Sequence, residues 1–129
     1  MQPETILLVE DDRDIRAFTA ALLERAGYRV VTAVDGDEGL RVYENHRASV
    51  ALLLTDFKLP KLNGRELAGR ILELTPELPV LVMTGDHPNV AGPYACIEKP
   101  IATADLLQRV SALLDRSHKY APASKAMAS

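Results

Sequence analysis

Four short, nearly uninterrupted apolar runs in this chain each stop at a residue with strong polar chemistry. Ile6-Leu7-Leu8-Val9 gives way to Glu10-Asp11-Asp12, and Val50 to Thr55 (VALLLT) is followed by Asp56. Pro79 to Thr84 (PVLVMT) ends on a hydroxyl before Gly85, and Tyr94 to Glu98 (YACIE) runs into Lys99. Runs this short, continuous rather than alternating, predict strands covered on both faces. Tyr28 to Val34 (YRVVTAV) is β-branched and predicts a further strand, placed second in the chain.

The segments between the runs carry helical spacing. Ile15, Phe18, Thr19, Leu22 and Leu23 share one face of a helix predicted from Arg13 to Ala26, with Gly27 placed to stop it. Asp35-Gly36 turns the chain into a helix over Asp37 to His46, with Leu40 and Tyr43 inward. Asn63 is positioned to cap a helix from Gly64 to Leu74, whose Leu67, Ile71 and Leu74 share a face. Thr103 caps a last helix to about Arg116, with Leu106, Leu107, Val110, Leu113 and Leu114 inward. His118 to Ser129, rich in Ala, Ser and Lys, reads as a flexible tail, so residues 1–117 form the expected domain and 118–129 lie outside it.

Strands alternating with helices imply parallel βα units joined by right-handed crossovers. Five such strands with helices on both faces give a flavodoxin-like doubly wound sheet, with Val50 to Thr55 central. Ligands bind such sheets outside the carboxyl ends of the strands. That rule gathers Glu10, Asp11, Asp56, Thr84 and Lys99 at one rim. Three carboxylates there would repel one another without a cation, and hard oxygen donors suit Mg²⁺. Lys99 adds a fixed positive charge, Thr84 a hydroxyl donor, and Gly85 leaves space beside it. Such a set can neutralise a phosphoryl group in transfer, with an aspartate as nucleophile.

Bulk properties exclude several alternatives. A net charge of −3 gives no support for nucleic-acid binding. A single cysteine, Cys96, excludes an intramolecular disulfide and a multi-cysteine zinc site, and fits a reducing, cytoplasmic setting. No segment approaches the roughly 18 apolar residues of a membrane span, and Met1 to Thr5 is too short and polar for a signal peptide. A flavin carrier would want a phosphate-binding loop after the first strand, where this chain has three acids. A phosphatase on the same fold would need an additional acid or a cap segment for the leaving group, and no insertion here is long enough to form such a cap.

The stretches ILLVEDDRDIR, LLLTDFKLPKLNG, PVLVMTG and IEKP resemble those of response-regulator receiver domains, from about Glu4 to Ser117. The resemblance implies a phosphoacceptor that takes phosphate from a histidine kinase or phosphotransfer protein and signals through protein contacts. It implies no enzymatic turnover beyond Mg²⁺-dependent self-phosphorylation and autodephosphorylation. Carried over by position, Glu10 and Asp11 are the metal-binding pair, Asp56 is the acceptor, and the backbone carbonyl of Lys58 completes the metal site. Thr84 and Lys99 are the switch hydroxyl and the phosphate-pairing lysine. Asp12 is the expected helix cap, Pro60 and Gly64 match the loop after the acceptor, and Pro100 follows a lysine whose peptide bond to it is cis in that family.

The chain departs from the family pattern in two places. Cys96 stands three residues before Lys99, where an aromatic switch residue is usual. Either Tyr94, on the same face by strand alternation, takes that part or the switch is absent. Only nine residues, 85 to 93, separate Thr84 from Tyr94, so the family's fourth helix is expected to be reduced or absent. Pro88 and Gly92 allow at most one turn there. Lys58 and Asp86, each two residues past a site residue, are expected to flank the path of attacking water. His87 reads as an exposed loop histidine. Two further readings stay open: a pseudo-receiver acting as an interaction scaffold without phosphate, and a homodimer.

Overall fold

A computed structural model describes the backbone of residues 3–85 and 87–128. The apolar runs form the centre of the molecule. Strands β1 (Thr5–Val9), β2 (Arg29–Ala33), β3 (Val50–Asp56), β4 (Val80–Thr84) and β5 (Ala95–Glu98) make one sheet in the order β2-β1-β3-β4-β5, every pair parallel. The chain moves outward from β1 to β2, then crosses back to β3 on the other side. The rim above β1 and β3 is therefore the switch point where a doubly wound sheet opens a crevice.

Alternate residues of the runs feed two apolar layers. Leu7, Val9, Leu53, Val80 and Val82 face helices α2 (Gly36–His46) and α3 (Gly64–Leu74), against Tyr43, Leu67 and Ile71. Ile6, Leu8, Leu52, Leu54, Leu81 and Met83 face α1 (Arg13–Arg25) and α4 (Thr103–Ala128), against Leu23, Leu106, Val110 and Leu114. Both faces of β1 and β3 are thus covered, which is why these strands read as unbroken apolar runs rather than as alternation.

The caps of the first three helices follow from the sequence, whereas Thr103, expected to cap α4, is its first residue, with the Ala102 carbonyl accepting from the Leu106 amide at 3.0 Å. Asp12 Oδ1 accepts from the Ile15 amide at 2.9 Å, and Asp35 Oδ1 accepts from the Glu38 amide at 2.7 Å. Asn63 and Glu66 form a reciprocal capping box at the start of α3.

Three local expectations are revised. Helix α4 continues past Arg116 to Ala128. On α1, Thr19 and Leu23 are buried as expected, but Ile15 and Phe18 are 39% and 55% exposed. They line an open apolar groove of about 610 Å³ with Pro100, Ile101 and Leu106 instead of closing onto the sheet. Strand β5 begins at Ala95, so Tyr94 precedes the strand.

The β4–β5 crossover contains only a single 3₁₀ turn, Pro88–Ala91, in line with the loss of a full helix between these strands. His87 caps it, its Nδ1 accepting from the Asn89 amide at 3.4 Å. Gly92 reverses the chain at φ 65° and ψ −130°, a conformation open essentially to glycine alone.

Candidate phosphoacceptor site

Each candidate residue sits where a strand runs out. Val9 pairs with Thr55 and Asp56 with Met83, so the ends of β1, β3 and β4 lie side by side. The Lys99 amide donates to the Thr84 carbonyl at 2.8 Å, which brings the lysine beside the end of β4. The structure therefore gathers Glu10, Asp11, Asp56, Thr84 and Lys99 at one rim.

The side chains converge as well. Carboxylate oxygens of Glu10, Asp11 and Asp56 lie within 4.8 Å of one another. Lys99 Nζ donates to Glu10 Oε1 and to Asp56 Oδ2, both at 3.0 Å. Glu10 and Asp56 are buried, and Asp11 is exposed at the mouth. Glu10 Oε2 also accepts from the Asp12 amide at 3.1 Å. Thr84 is buried beside Gly85, where a side chain would meet nothing within 4 Å.

These contacts set the charges. Burial lifts the Glu10 carboxyl above the usual carboxylate range. Hydrogen bonds from Asp12 and Lys99 pull it back only partly, and the charge of Asp56 pushes it up again. For Lys99, burial acts to lower the pKa, but the hydrogen bonds to Asp56 and Glu10 and the charges of both outweigh it. Its ammonium is thus held charged between two carboxylates. Three clustered carboxylates, one of them open to solvent, offer the hard oxygen donors and the access that a hydrated Mg²⁺ ion requires.

The backbone around Asp56 is tightly specified. A Cβ on Gly64 would fall 2.3 Å from the Asp56 carbonyl oxygen, so only glycine lets the following loop close on Asp56. The Gly64 amide donates to the Phe57 carbonyl at 2.8 Å. The Lys99–Pro100 bond is cis, as the resemblance implies. Lys58 lies exposed in the loop after Asp56, and Asp86, expected to flank the same water path, falls outside the described residues.

Arg16 is a contributor that sequence reading missed. Its Nη1 donates to the Glu10 carbonyl at 2.9 Å and to the Asp11 carbonyl at 3.4 Å, bracing the backbone of the acid pair. Its position in the first turn of α1, just after the rim acids, was the available signal.

Cys96 and Tyr94 both pack half-buried against the layer beneath α2 and α3. A Cβ on Gly69 of α3 would lie 4.0 Å from the Tyr94 hydroxyl. Burial and the nearby charge of Glu98 raise the Cys96 thiol, with Arg109 opposing, which disfavours a reactive thiolate.

This fold and rim define a receiver domain of two-component signalling. A family model described as "Response regulator receiver domain" matches residues 6–111, and the chain belongs to that family. It is 36% identical to the response regulator receiver protein CpdR of Brucella abortus over 117 residues, covering 84% of this chain and 95% of that one. It is 33% identical to the transcriptional regulatory protein CpxR of Escherichia coli, covering 88% of this chain but only 50% of that longer protein. Among solved structures, a CheY-like receiver domain protein from Methanospirillum hungatei superposes with a TM-score of 0.83 at 34% identity, covering 92% of this chain and 98% of that one. Among the described residues, no helix is long and apolar enough to cross a membrane.

Proposed function

We propose that this receiver domain accepts a phosphoryl group on Asp56 from a histidine kinase or phosphotransfer protein and signals through protein contacts in the cytoplasm. The observation that carries the reading is the convergence at Asp56. Its Oδ2 lies 3.0 Å from the Lys99 ammonium, inside a three-carboxylate cluster, with the buried Thr84 hydroxyl at the end of the neighbouring strand.

In the transfer, an Asp56 carboxylate oxygen attacks the phosphorus of a phosphohistidine. The P–N bond breaks, the imidazole leaves with a proton, and an acyl phosphate remains. Lys99 and Thr84 pair with the phosphoryl oxygens, and the lysine changes partner from carboxylate to phosphate. The Glu10, Asp11 and Asp56 carboxylates with the Lys58 carbonyl would hold Mg²⁺, which supplies positive charge against the phosphoryl oxygens. The domain turns over no external substrate, and hydrolysis of its own acyl phosphate resets it. Residues 118–129 stand outside the phosphoacceptor unit.

The test is incubation with Mg²⁺ and acetyl phosphate, read by intact mass, or with beryllofluoride, read by amide chemical shifts. The unmodified protein gains one phosphate or shifts at the rim, and Asp56→Asn does neither. A protein with no Mg²⁺-dependent response would instead be a pseudo-receiver scaffold.

A further inference from the structure

The two halves of the rim are built on different segments. Glu10 and Asp11 follow β1, whereas Asp56 ends β3 and Lys58 lies in the irregular segment 57–63 that leads to α3. An irregular segment cannot hold a carbonyl in place unless something fixes it. Gly64 closes its far end on Asp56, and its apex rests on an element that contributes nothing to the site.

That element is the first turn of α2. A Cβ on Gly36 would fall 2.4 Å from Leu62 Cβ, 2.7 Å from the Leu62 carbonyl oxygen and 3.1 Å from Leu62 Cα. Two of those three atoms are backbone, so a side chain at position 36 must displace the loop itself. Lys61, beside Leu62, has φ 72°, which is uncommon for a residue with a side chain. Its Nζ lies 3.8 Å from Asp35 and 3.9 Å from Asp37, the two residues flanking Gly36. The same turn is tied to the other half of the rim, because the Glu10 amide donates to the Ala33 carbonyl at 3.1 Å, just before Asp35-Gly36.

We infer that the β2–α2 turn is the common reference for both halves of the site, with Gly36 and Lys61 as positioning residues that seat the 57–63 loop against the acid pair. The inference rests on the reading of Asp56 as phosphoacceptor and Lys58 as a metal ligand. The steric seat at Gly36 dominates. The Lys61 ammonium is exposed and its pairs are long, so they add little.

The experiment is Gly36→Ala in the full chain, with two readouts. In metal-free protein, amide hydrogen exchange speeds up across 57–63 while the β1, β3 and β4 amides keep their protection. In an NMR titration with MgCl₂, affinity falls about tenfold, the scale on which outer supports of metal ligands act. Lys61→Ala serves if Gly36→Ala does not fold, with a smaller weakening, about twofold, that high salt removes. Unchanged exchange at 57–63, exchange faster everywhere alike, or unchanged Mg²⁺ affinity in the folded variant would each overturn the inference. A wild-type protein that binds no Mg²⁺ defeats the site reading instead, and the metal-free exchange comparison still decides the role of Gly36.

Discussion

Lys99→Met removes the one ammonium shared by two buried carboxylates while keeping the length of the side chain. Lys99 is 23% exposed, and the carboxylates of Glu10 and Asp56 are 1% and 9% exposed. Two charges within 4.8 Å repel by on the order of 3 kcal/mol at an effective dielectric constant near 20. Stripping one partner from a buried ion pair costs about 3–5 kcal/mol. Glu10 limits the loss, because burial already favours its neutral form and removal of the lysine favours that form further. The expected loss near pH 8 is therefore about 2–3 kcal/mol, or roughly 8–12 °C for a domain of this size. The sign with pH follows from linkage. A carboxyl whose folded pKa lies above its unfolded value binds protons preferentially in the folded state, so stability recovers as pH falls through the folded value. Losing Lys99 removes a contribution that lowers the Glu10 pKa, so the window widens in the variant. Urea unfolding followed by circular dichroism near pH 8 and near pH 5.5 measures both effects. A loss below about 1 kcal/mol near pH 8, or one that grows on acidification, would refute this account of the charge balance.

Two further outcomes are expected. The folded-state pKa of Lys99 is raised, so the stability from its ion pairs is fully present below the unfolded lysine value and is lost as pH rises through the folded one. Thermal melts of the unmodified protein on the alkaline side should show this decline, and Lys99→Met should lack it. Tyr43→Phe deletes the hydroxyl that shares a hydrogen bond with Thr75 without opening a cavity, and Thr75 is half-buried. Urea midpoints should therefore fall by an amount equivalent to about 0.5–1.5 kcal/mol, with unchanged slope.

The sheet and the rim were legible because they rest on continuous apolarity and on where it stops. A strand buried on both faces has no polar alternation to blur its ends, so Glu10, Asp56, Thr84 and Lys99 mark the carboxyl edge residue by residue. Parallel topology then assembles them without any knowledge of side-chain geometry. The caps at Asp12 and Asn63 were equally local. What stayed hidden depends on which neighbour arrives through space. Ile15 and Phe18 carry the same spacing as Thr19 and Leu23, yet remain open because, among the described residues, no element closes over the start of α1. Arg16 looks like an ordinary helix-surface arginine until its guanidinium is seen bracing the Glu10 carbonyl.

Glycine spacing gives the sharpest case of this limit. Gly36 sits in an Asp-Gly turn, which by itself explains a glycine through local backbone needs. In the fold, φ outside the left-handed region leaves that explanation without force, and the close approach of Leu62 is what excludes a side chain. Gly92 is the reverse. Its backbone conformation demands glycine, while the nearest obstacle to a Cβ there is the Arg65 guanidinium, 2.6 Å away at the far end of a flexible side chain. One glycine is therefore required by a distant segment and the other by its own dihedral angles. The first lies in the turn that supports the acceptor loop, and the second lets a crossover too short for a helix carry the chain from Thr84 back to Lys99. The chemistry proposed at Asp56 thus rests on a frame set by two residues that carry no chemistry of their own, and both act by what they leave out.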